Sequence, residues 1–223
     1  MAVAVTLDKV SAGYRGAPVL HDITLSIRPG ERVAVIGRSG AGKSTLLNTI
    51  YRRYREHAAL IPQTSALVAN LSVFHNVFMG CLDRHSTLYN LRTLVWPPAA
   101  EIAAVGRLLE AVGLEAKLFA KAGELSGGQQ QRTSVARAML NGRPIILADE
   151  PVSALDRVQG GAVLRVLSQR HETKIFAMHD IRLALEHCDR IVLLQGGRMI
   201  LDEPSSHLSY ERLLPHFEGE LLQ

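Results

Sequence analysis

Gly37-Arg38-Ser39-Gly40-Ala41-Gly42-Lys43-Ser44 matches the phosphate-loop pattern G-x-x-x-x-G-K-[ST]. Ahead of it, Arg32-Val33-Ala34-Val35-Ile36 is a short apolar run that predicts a buried strand. After it, Thr45-Leu46-Leu47-Asn48-Thr49-Ile50 predicts a helix. Strand, loop and helix in that order are what a P-loop needs. Glycines let backbone N–H groups turn inward and approach phosphate oxygens closely. The helix then points its positive end at the same phosphates. Lys43 is placed to reach the β- and γ-phosphates of a nucleotide, and Ser44 to give its hydroxyl to Mg²⁺. A glycine-rich turn followed by lysine can arise by chance, but in a chain of this length the full pattern does so roughly once in a hundred.

Composition narrows the class. The chain has 223 residues, of which 47% are hydrophobic and 21% charged, enough for one large domain or a core with a sizeable insertion. No apolar run is long enough to span a membrane. Met1-Ala2-Val3-Ala4-Val5 lacks a basic leader and runs into Asp8-Lys9, so it reads as a strand and not a signal peptide. The two cysteines, Cys81 and Cys188, have no metal-ligand or redox spacing, which fits a reduced cytosolic protein. The net charge of +4 favours an anionic partner only weakly, and a nucleotide already supplies one. Tyr51-Arg52-Arg53-Tyr54-Arg55 interleaves aromatics with arginines, but reads best as the solvated end of the P-loop helix, so no nucleic-acid partner is expected.

Outward from the P-loop, residues 3–10 and 20–27 alternate as strands around a turn-rich loop, Ser11 to Gly16, and Pro29-Gly30 makes a turn. Ala58 to Gln63 is a short strand ending at a proline and a glutamine. From Leu71 to Asn141 the character is helical. Ile102, Val105, Leu108, Leu109 and Val112 mark one helix; Val135, Ala138 and Met139 mark another, with Ser126 as N-cap. Ile145-Ile146-Leu147-Ala148 is a fully buried strand closed by Asp149-Glu150-Pro151. Leu155, Val158, Ala162, Val166 and Leu167 mark a helix, Lys174 to Met178 a buried strand ending at His179, and Leu183 to His187 a short helix. Ile191 to Leu194 and Arg198 to Leu201 form a hairpin about Gly196-Gly197. Strands alternating with helices predict an α/β sheet with crossover helices.

Asp149 and Glu150 stand at the carboxyl end of a buried strand, where open α/β sheets bind ligands. An aspartate there can hold the Mg²⁺ of a P-loop site. The adjacent glutamate can accept a proton from water attacking a γ-phosphate.

Leu125-Ser126-Gly127-Gly128-Gln129-Gln130-Gln131-Arg132 resembles the signature sequence of ABC-type ATPases. The resemblance covers almost the whole chain. Tyr14 falls at that family's adenine-stacking aromatic, Gln63 at its Q-loop, Ser153-Ala154-Leu155-Asp156 at its D-loop and His179 at its switch histidine, all in family order. Singly, a loop tyrosine, a loop glutamine or a histidine after a strand is an ordinary packing residue; the register of six motifs is what makes them specific.

The resemblance implies a P-loop NTPase of the ABC nucleotide-binding type, one domain over 1–223. Its α/β core is expected at 1–66 and 143–223, and an inserted helical signature subdomain at 67–142. Only 20 residues separate Lys43 from Gln63, fewer than the family usually has, so the antiparallel β lobe is expected to be reduced. ATP and Mg²⁺ are the implied ligands. Gly37 to Thr45 (Gly37, Arg38, Ser39, Gly40, Ala41, Gly42, Lys43, Ser44, Thr45) and Tyr14 would bind nucleotide. Ser44, Gln63 and Asp149 would hold the metal. Glu150, His179, Gln63 and Lys43 would serve catalysis. Ser126, Gly127, Gly128 and Gln129 would meet the nucleotide of a second copy, in a head-to-tail homodimer with ATP sandwiched between, and Asp156, counted with these site residues, would signal across the dimer to the opposite site.

Such a chain, with no fused membrane domain, resembles the ATPases of importers. It is expected at the cytoplasmic face of the cell membrane, docked on an integral permease and served indirectly by a substrate-binding protein. The finer resemblance, through Leu71 to Gly80, Leu82 to Ser86, Ala148 to Asp156 and His171-Glu172-Thr173, is to phosphonate-import ATPases. A nucleic-acid-linked ABC ATPase is the alternative, but those usually carry a long coiled coil or a second ATPase unit. A non-hydrolysing module is disfavoured by Glu150 and His179 together. Leu67, Val68, Leu71, Val73, Phe74 and Val77 after Gln63 form an apolar set expected either to meet the permease or to pack on the helical insertion. If they meet the permease, charges at Phe74 or Val77 should spare basal ATPase activity.

Overall fold

The computed structural model describes residues 3–14 and 17–217. Met1, Ala2, Arg15 and Gly16 of the segments discussed above lie outside these. The elements run β1 (Val5–Tyr14), β2 (Ala17–Ile27), β3 (Arg32–Ile36), α1 (Lys43–Tyr54), β4 (Ala58–Ile61), α2 (Val73–Phe78), α3 (Thr87–Val95) and α4 (Ala99–Ala111). They continue with α5 (Gly127–Asn141), β5 (Ile145–Asp149), α6 (Arg157–Arg170), β6 (Thr173–Met178), α7 (Ile181–His187), β7 (Arg190–Gln195), β8 (Arg198–Pro204) and α8 (Tyr210–Leu213).

Two compact units divide the chain. The first takes Met1–Gln63, Arg143–Ser153 and His171–Gln223; the second takes Thr64–Gly142 and Ala154–Arg170. The expected helical insertion ended at 142, but Ala154–Arg170 also groups with it, because α6 packs on α5. The buried side of α6 is Gly160, Gly161, Val163, Leu164 and Leu167, whereas Val158, expected on the apolar stripe, is 81% exposed. Two glycines supply part of the packing face, and a reading based on apolar side chains passes over them.

In the first unit a six-stranded sheet has the order β4-β5-β6-β3-β7-β8. All its pairings are parallel except the β7–β8 hairpin at one edge. β3, β5 and β6 are apolar along nearly their whole length because both faces are covered. The core includes Val33, Val35, Leu46, Ile50, Leu147 and Ile175, with Leu7 and Leu25 from the β1–β2 sheet.

β1 and β2 are longer than alternation predicts. Ser11 to Tyr14, expected as loop, continues β1, with register shifts after Leu7, Val10 and Ala12. The strand survives the irregularity because side chains substitute for missing ladder bonds. Lys9 N donates to Thr24 Oγ1 at 3.1 Å, and Asp22 N to Ser11 Oγ at 3.1 Å. These two strands are a separate antiparallel sheet. Only residues 55–57 connect α1 to β4, so no antiparallel strand is inserted there.

In the second unit, Phe74 is the hub of α2. It stacks on Phe78 at 5.9 Å between ring centroids and lies 6.1 Å from Phe119. Val73, Phe74 and Val77 are each 0% exposed. Of the set after Gln63, these three pack inward while Val68 is 44% exposed, and a charge at Phe74 or Val77 would break a core and not an interface.

Candidate functional site

The carboxyl ends of four adjacent parallel strands gather the chemistry. Gln63 follows β4, Asp149 and Glu150 end β5, His179 follows β6, and the P-loop follows β3. Pairing of Ile61 with Ala148, Asp149 with Ala177, and Ile36 with Met178 brings these ends level.

The loop itself is built on glycine geometry. Gly37 has φ +149°, and a Cβ there would lie 2.3 Å from the Leu194 carbonyl oxygen. Gly42 has φ +103°, and its Cβ would meet Leu20 at 2.7 Å. The Lys43 ammonium is buried and folds over the loop, donating to the carbonyls of Gly37 at 2.7 Å and Arg38 at 3.1 Å.

Ser39 to Thr45 line a cavity of about 370 Å³ together with Tyr14, Val19, Gln63, Glu150 and His179. That is within the size range of small-ligand sites. Gly37 and Arg38 contribute their carbonyls to Lys43 and do not line it. A larger cavity of about 560 Å³ shares His179, but is lined by Ile181, Arg182, Tyr210, Leu214 and Phe217 and contains no phosphate-binding loop.

Glu150 and His179 are joined: His179 Nε2 lies 2.5 Å from Glu150 Oε1. The Glu150 side chain is 14% exposed and that of His179 39%, so the pair is reached from solvent through the histidine. Glu150 has φ +54°, unusual for a residue with a side chain, and its N–H is held by the Ala177 carbonyl at 2.9 Å. The sheet thus fixes a strained backbone that aims the carboxylate.

Burial pushes the Asp149 carboxyl above the usual carboxylate range, and Glu150 adds to this; a hydrogen bond with Ser44 and the charge of Lys43 pull it back. Its Oδ1 is buried and has no hydrogen-bond partner among the described residues. The orphaned Asp149 oxygen, the Ser44 hydroxyl bonded to that carboxylate, and the amide of Gln63, which lines the cavity with Ser44, offer an all-oxygen donor set. It fits Mg²⁺, whose remaining positions are usually filled by water and phosphate.

Ser126, Gly127, Gly128, Gln129 and Asp156 belong to the second unit and do not line this cavity. Ser126 Oγ accepts from Gln129 N, and Gln129 Oε1 accepts from Ser126 N at 3.0 Å, a capping box that starts the fifteen-residue α5. Gly127 faces open space, whereas a Cβ at Gly128 would lie 3.1 Å from the Ala154 carbonyl. Asp156 Oδ1 accepts from Gln159 N at 2.9 Å and caps α6.

Three residues that position these loops were not singled out from the sequence. Gln131 Oε1 accepts from Ala154 N at 3.1 Å. Arg137 donates to the carbonyls of Ser65 and Ala66, each at 2.9 Å, and so pins the segment after Gln63. Asn76, fully buried, exchanges hydrogen bonds with Val68, accepting from its N–H at 2.8 Å and donating to its carbonyl at 3.1 Å. Each is a polar residue on a helix whose partner lies on another segment, so no local pattern reveals it.

The sequence profile of the ABC transporter family matches residues 20–153. The chain belongs to the ABC transporter family. It is an ATP-binding and ATP-hydrolysing cassette of that family. Among curated relatives, the phosphonates import ATP-binding protein PhnC of Maricaulis maris is 33% identical, over 97% of this chain and 96% of that protein. The protein of the same name from Caulobacter vibrioides is 35% identical, over 96% and 94%. The dimeric structure of MJ0796, a bacterial ABC transporter cassette, is 26% identical with a TM-score of 0.79, covering 91% of this chain and 99% of that one. The first of these alignments runs over 254 positions, longer than the 223-residue chain, so that relative carries residues this cassette lacks.

For this ABC cassette, Tyr14→Ala is expected to weaken ATP more than free triphosphate. Tyr14 is 51% exposed and lines the cavity, and base–aromatic stacking is worth about 1–3 kcal/mol. Calorimetric titration of both ligands reads the difference; equal losses would make Tyr14 a packing residue only.

Proposed function

We propose that this cassette powers uptake of phosphonates or related phosphorus oxyanions through a separate membrane permease. Hydrolysis is supported by one observation above all: the Glu150–His179 pair at 2.5 Å shares a cavity with the P-loop. The substrate class is supported by the relatives that bear the phosphonate-import name.

The geometry supports the following residue roles. Loop N–H groups and Lys43 hold the β- and γ-phosphates, and Tyr14 takes the purine face. Ser44, Asp149 and Gln63 would hold Mg²⁺, which would supply positive charge against the phosphate oxygens. Glu150 takes the proton of the attacking water as its oxygen bonds to the γ-phosphorus. The bond from that phosphorus to the bridging oxygen breaks, and its electron pair leaves with ADP. His179 holds Glu150 in place and offers the γ-phosphate a hydrogen bond. Ser126 to Gln129 meet the γ-phosphate bound by a second copy, so the complete site belongs to a head-to-tail homodimer, and Asp156 caps the helix that leaves the D-loop. The dimer sits peripherally on the cytoplasmic face of the membrane; among the described residues no helix is long and apolar enough to cross it.

The permease contact falls on α3. This helix is inverted: Tyr89, Asn90 and Thr93 face inward, while Leu88, Leu91 and Val95 form an outward stripe at helical spacing. Leu88 and Val95 are 78% and 77% exposed, and Trp96 beside them 77%. An apolar stripe so placed calls for a covering partner. A cytoplasmic segment of the permease is that partner in this reading.

Growth on a phosphonate as sole phosphorus source, with phosphate as control, tests the reading. A strain lacking the gene is expected to grow only on phosphate. The wild-type gene restores phosphonate growth, and Leu91→Asp does not, although the purified variant hydrolyses ATP at the wild-type rate. Normal phosphonate growth of the deletion strain, with no second uptake system in its genome, sinks the substrate assignment. Full rescue by Leu91→Asp removes α3 from the permease contact.

A further inference from the structure

A cluster in the helical unit has no part in nucleotide chemistry. Cys81 lies in the tight turn that follows α2, His85 stands just before α3, and Glu101 is in the first turn of α4. We propose that Cys81, His85 and Glu101 form a zinc site that clips together the two ends of the segment bearing α3.

The three ligand atoms all lie within 4.8 Å of one another, and His85 Nε2 is 3.9 Å from Glu101 Oε1. A tetrahedral zinc needs its ligand atoms about 3.5 Å apart, so small side-chain rotations close the site. Thiolate, imidazole and carboxylate are the ligand types that a borderline-soft cation accepts together. The thiolate and the carboxylate also cancel the ion's two charges, which suits a partly buried position.

The ligands are held before any metal arrives. A Cβ at Gly80 would lie 2.2 Å from the Arg137 carbonyl oxygen, so glycine lets the turn rest against α5, and Asn141 Nδ2 donates to the Gly80 carbonyl at 2.9 Å. Asn90 Nδ2 donates to the Leu82 carbonyl at 3.0 Å. The His85 ring lies stacked between Phe78, at 5.7 Å, and Tyr89, at 4.6 Å. Tyr89 donates its hydroxyl to Glu101 Oε1 at 3.0 Å, the kind of outer hydrogen bond that orients a ligating carboxylate. The His85 and Glu101 side chains are 27% and 17% exposed, which gives an ion a way in and leaves a fourth position for water. Burial and the neighbouring Glu101 push the Cys81 thiol up to about 11, so zinc would displace a proton on binding.

The test uses the full-length reduced protein and Co²⁺ as a coloured stand-in for zinc. One equivalent is expected to give a thiolate-to-cobalt charge-transfer band with the visible bands of a tetrahedral ion, and one equivalent of Zn²⁺ to abolish both. Cys81→Ser removes the charge-transfer band. Glu101→Gln weakens binding about tenfold or more. Cys188→Ala, in the other unit, keeps the spectrum. Zinc raises the melting temperature of the wild type and not that of His85→Ala. If Cys81→Ser proves unfolded, His85→Gln, altered at a partly exposed side chain, carries the comparison. No charge-transfer band in the wild type, or the same band in Cys81→Ser or in His85→Gln, overturns the site.

Discussion

Glu150→Gln lowers ATP hydrolysis at least about a hundredfold and leaves ATP binding in place. The amide has the size of the carboxylate and sits on the same strained backbone, held at φ +54° by the bond from its N–H to the Ala177 carbonyl. It also keeps a hydrogen bond to His179. What it loses is the ability to take the proton of the attacking water. Lys43, the loop N–H groups and Tyr14 are untouched, so nucleotide still binds. On the proposed head-to-tail arrangement, in which a second copy completes the site, the variant should accumulate as an ATP-bound dimer. Phosphate release under single-turnover conditions reads the chemistry, and size-exclusion chromatography with and without ATP reads the dimer. A wild-type rate would remove Glu150 from the role of base.

Phe74→Asp unfolds the helical unit. Phe74 is 0% exposed and stacks on Phe78. Truncating a buried phenylalanine costs about 3–5 kcal/mol, and a carboxylate left there without a partner adds several more or must be neutralised. That is comparable with the whole stability of a domain, about 5–15 kcal/mol. Leu91→Asp, on the outward face of α3, should stay within about 0.5 kcal/mol of the wild type. Urea unfolding followed by circular dichroism compares the two. A Phe74→Asp protein with a wild-type midpoint would show that α2 does not pack as described.

The contrast between these residues is the contrast between what is local and what is not. Gly37 to Ser44 and Asp149-Glu150 could be read from the sequence because each depends on a few consecutive residues, whereas His179 stood out only through its place in the order of family motifs. Each of the first two lies where a buried strand ends, and an apolar run closed by a glycine loop or an acidic pair is visible without any tertiary contact. The N-cap at Ser126 was legible for the same reason, since its hydrogen bonds stay within one turn.

Apolar side chains alone do not say which face of a helix is covered. Phe74 and Val77 could have faced the permease or packed on the helical insertion and are buried, while Leu88, Leu91 and Val95 turn outward because Tyr89, Asn90 and Thr93 take the inner face. Arg137 reaches the segment after Gln63 across 71 positions. Cys81 and His85 are close in sequence, but Glu101 joins them only because α3 and α4 fold back on the turn. The sequence alone determined the phosphate loop and the acidic strand end, both set by backbone geometry within a turn or a strand. Only the tertiary structure decided the strand order that brings Gln63, Glu150 and His179 to one cavity, and which apolar residues are left for a partner, because both depend on the packing of segments far apart in the chain.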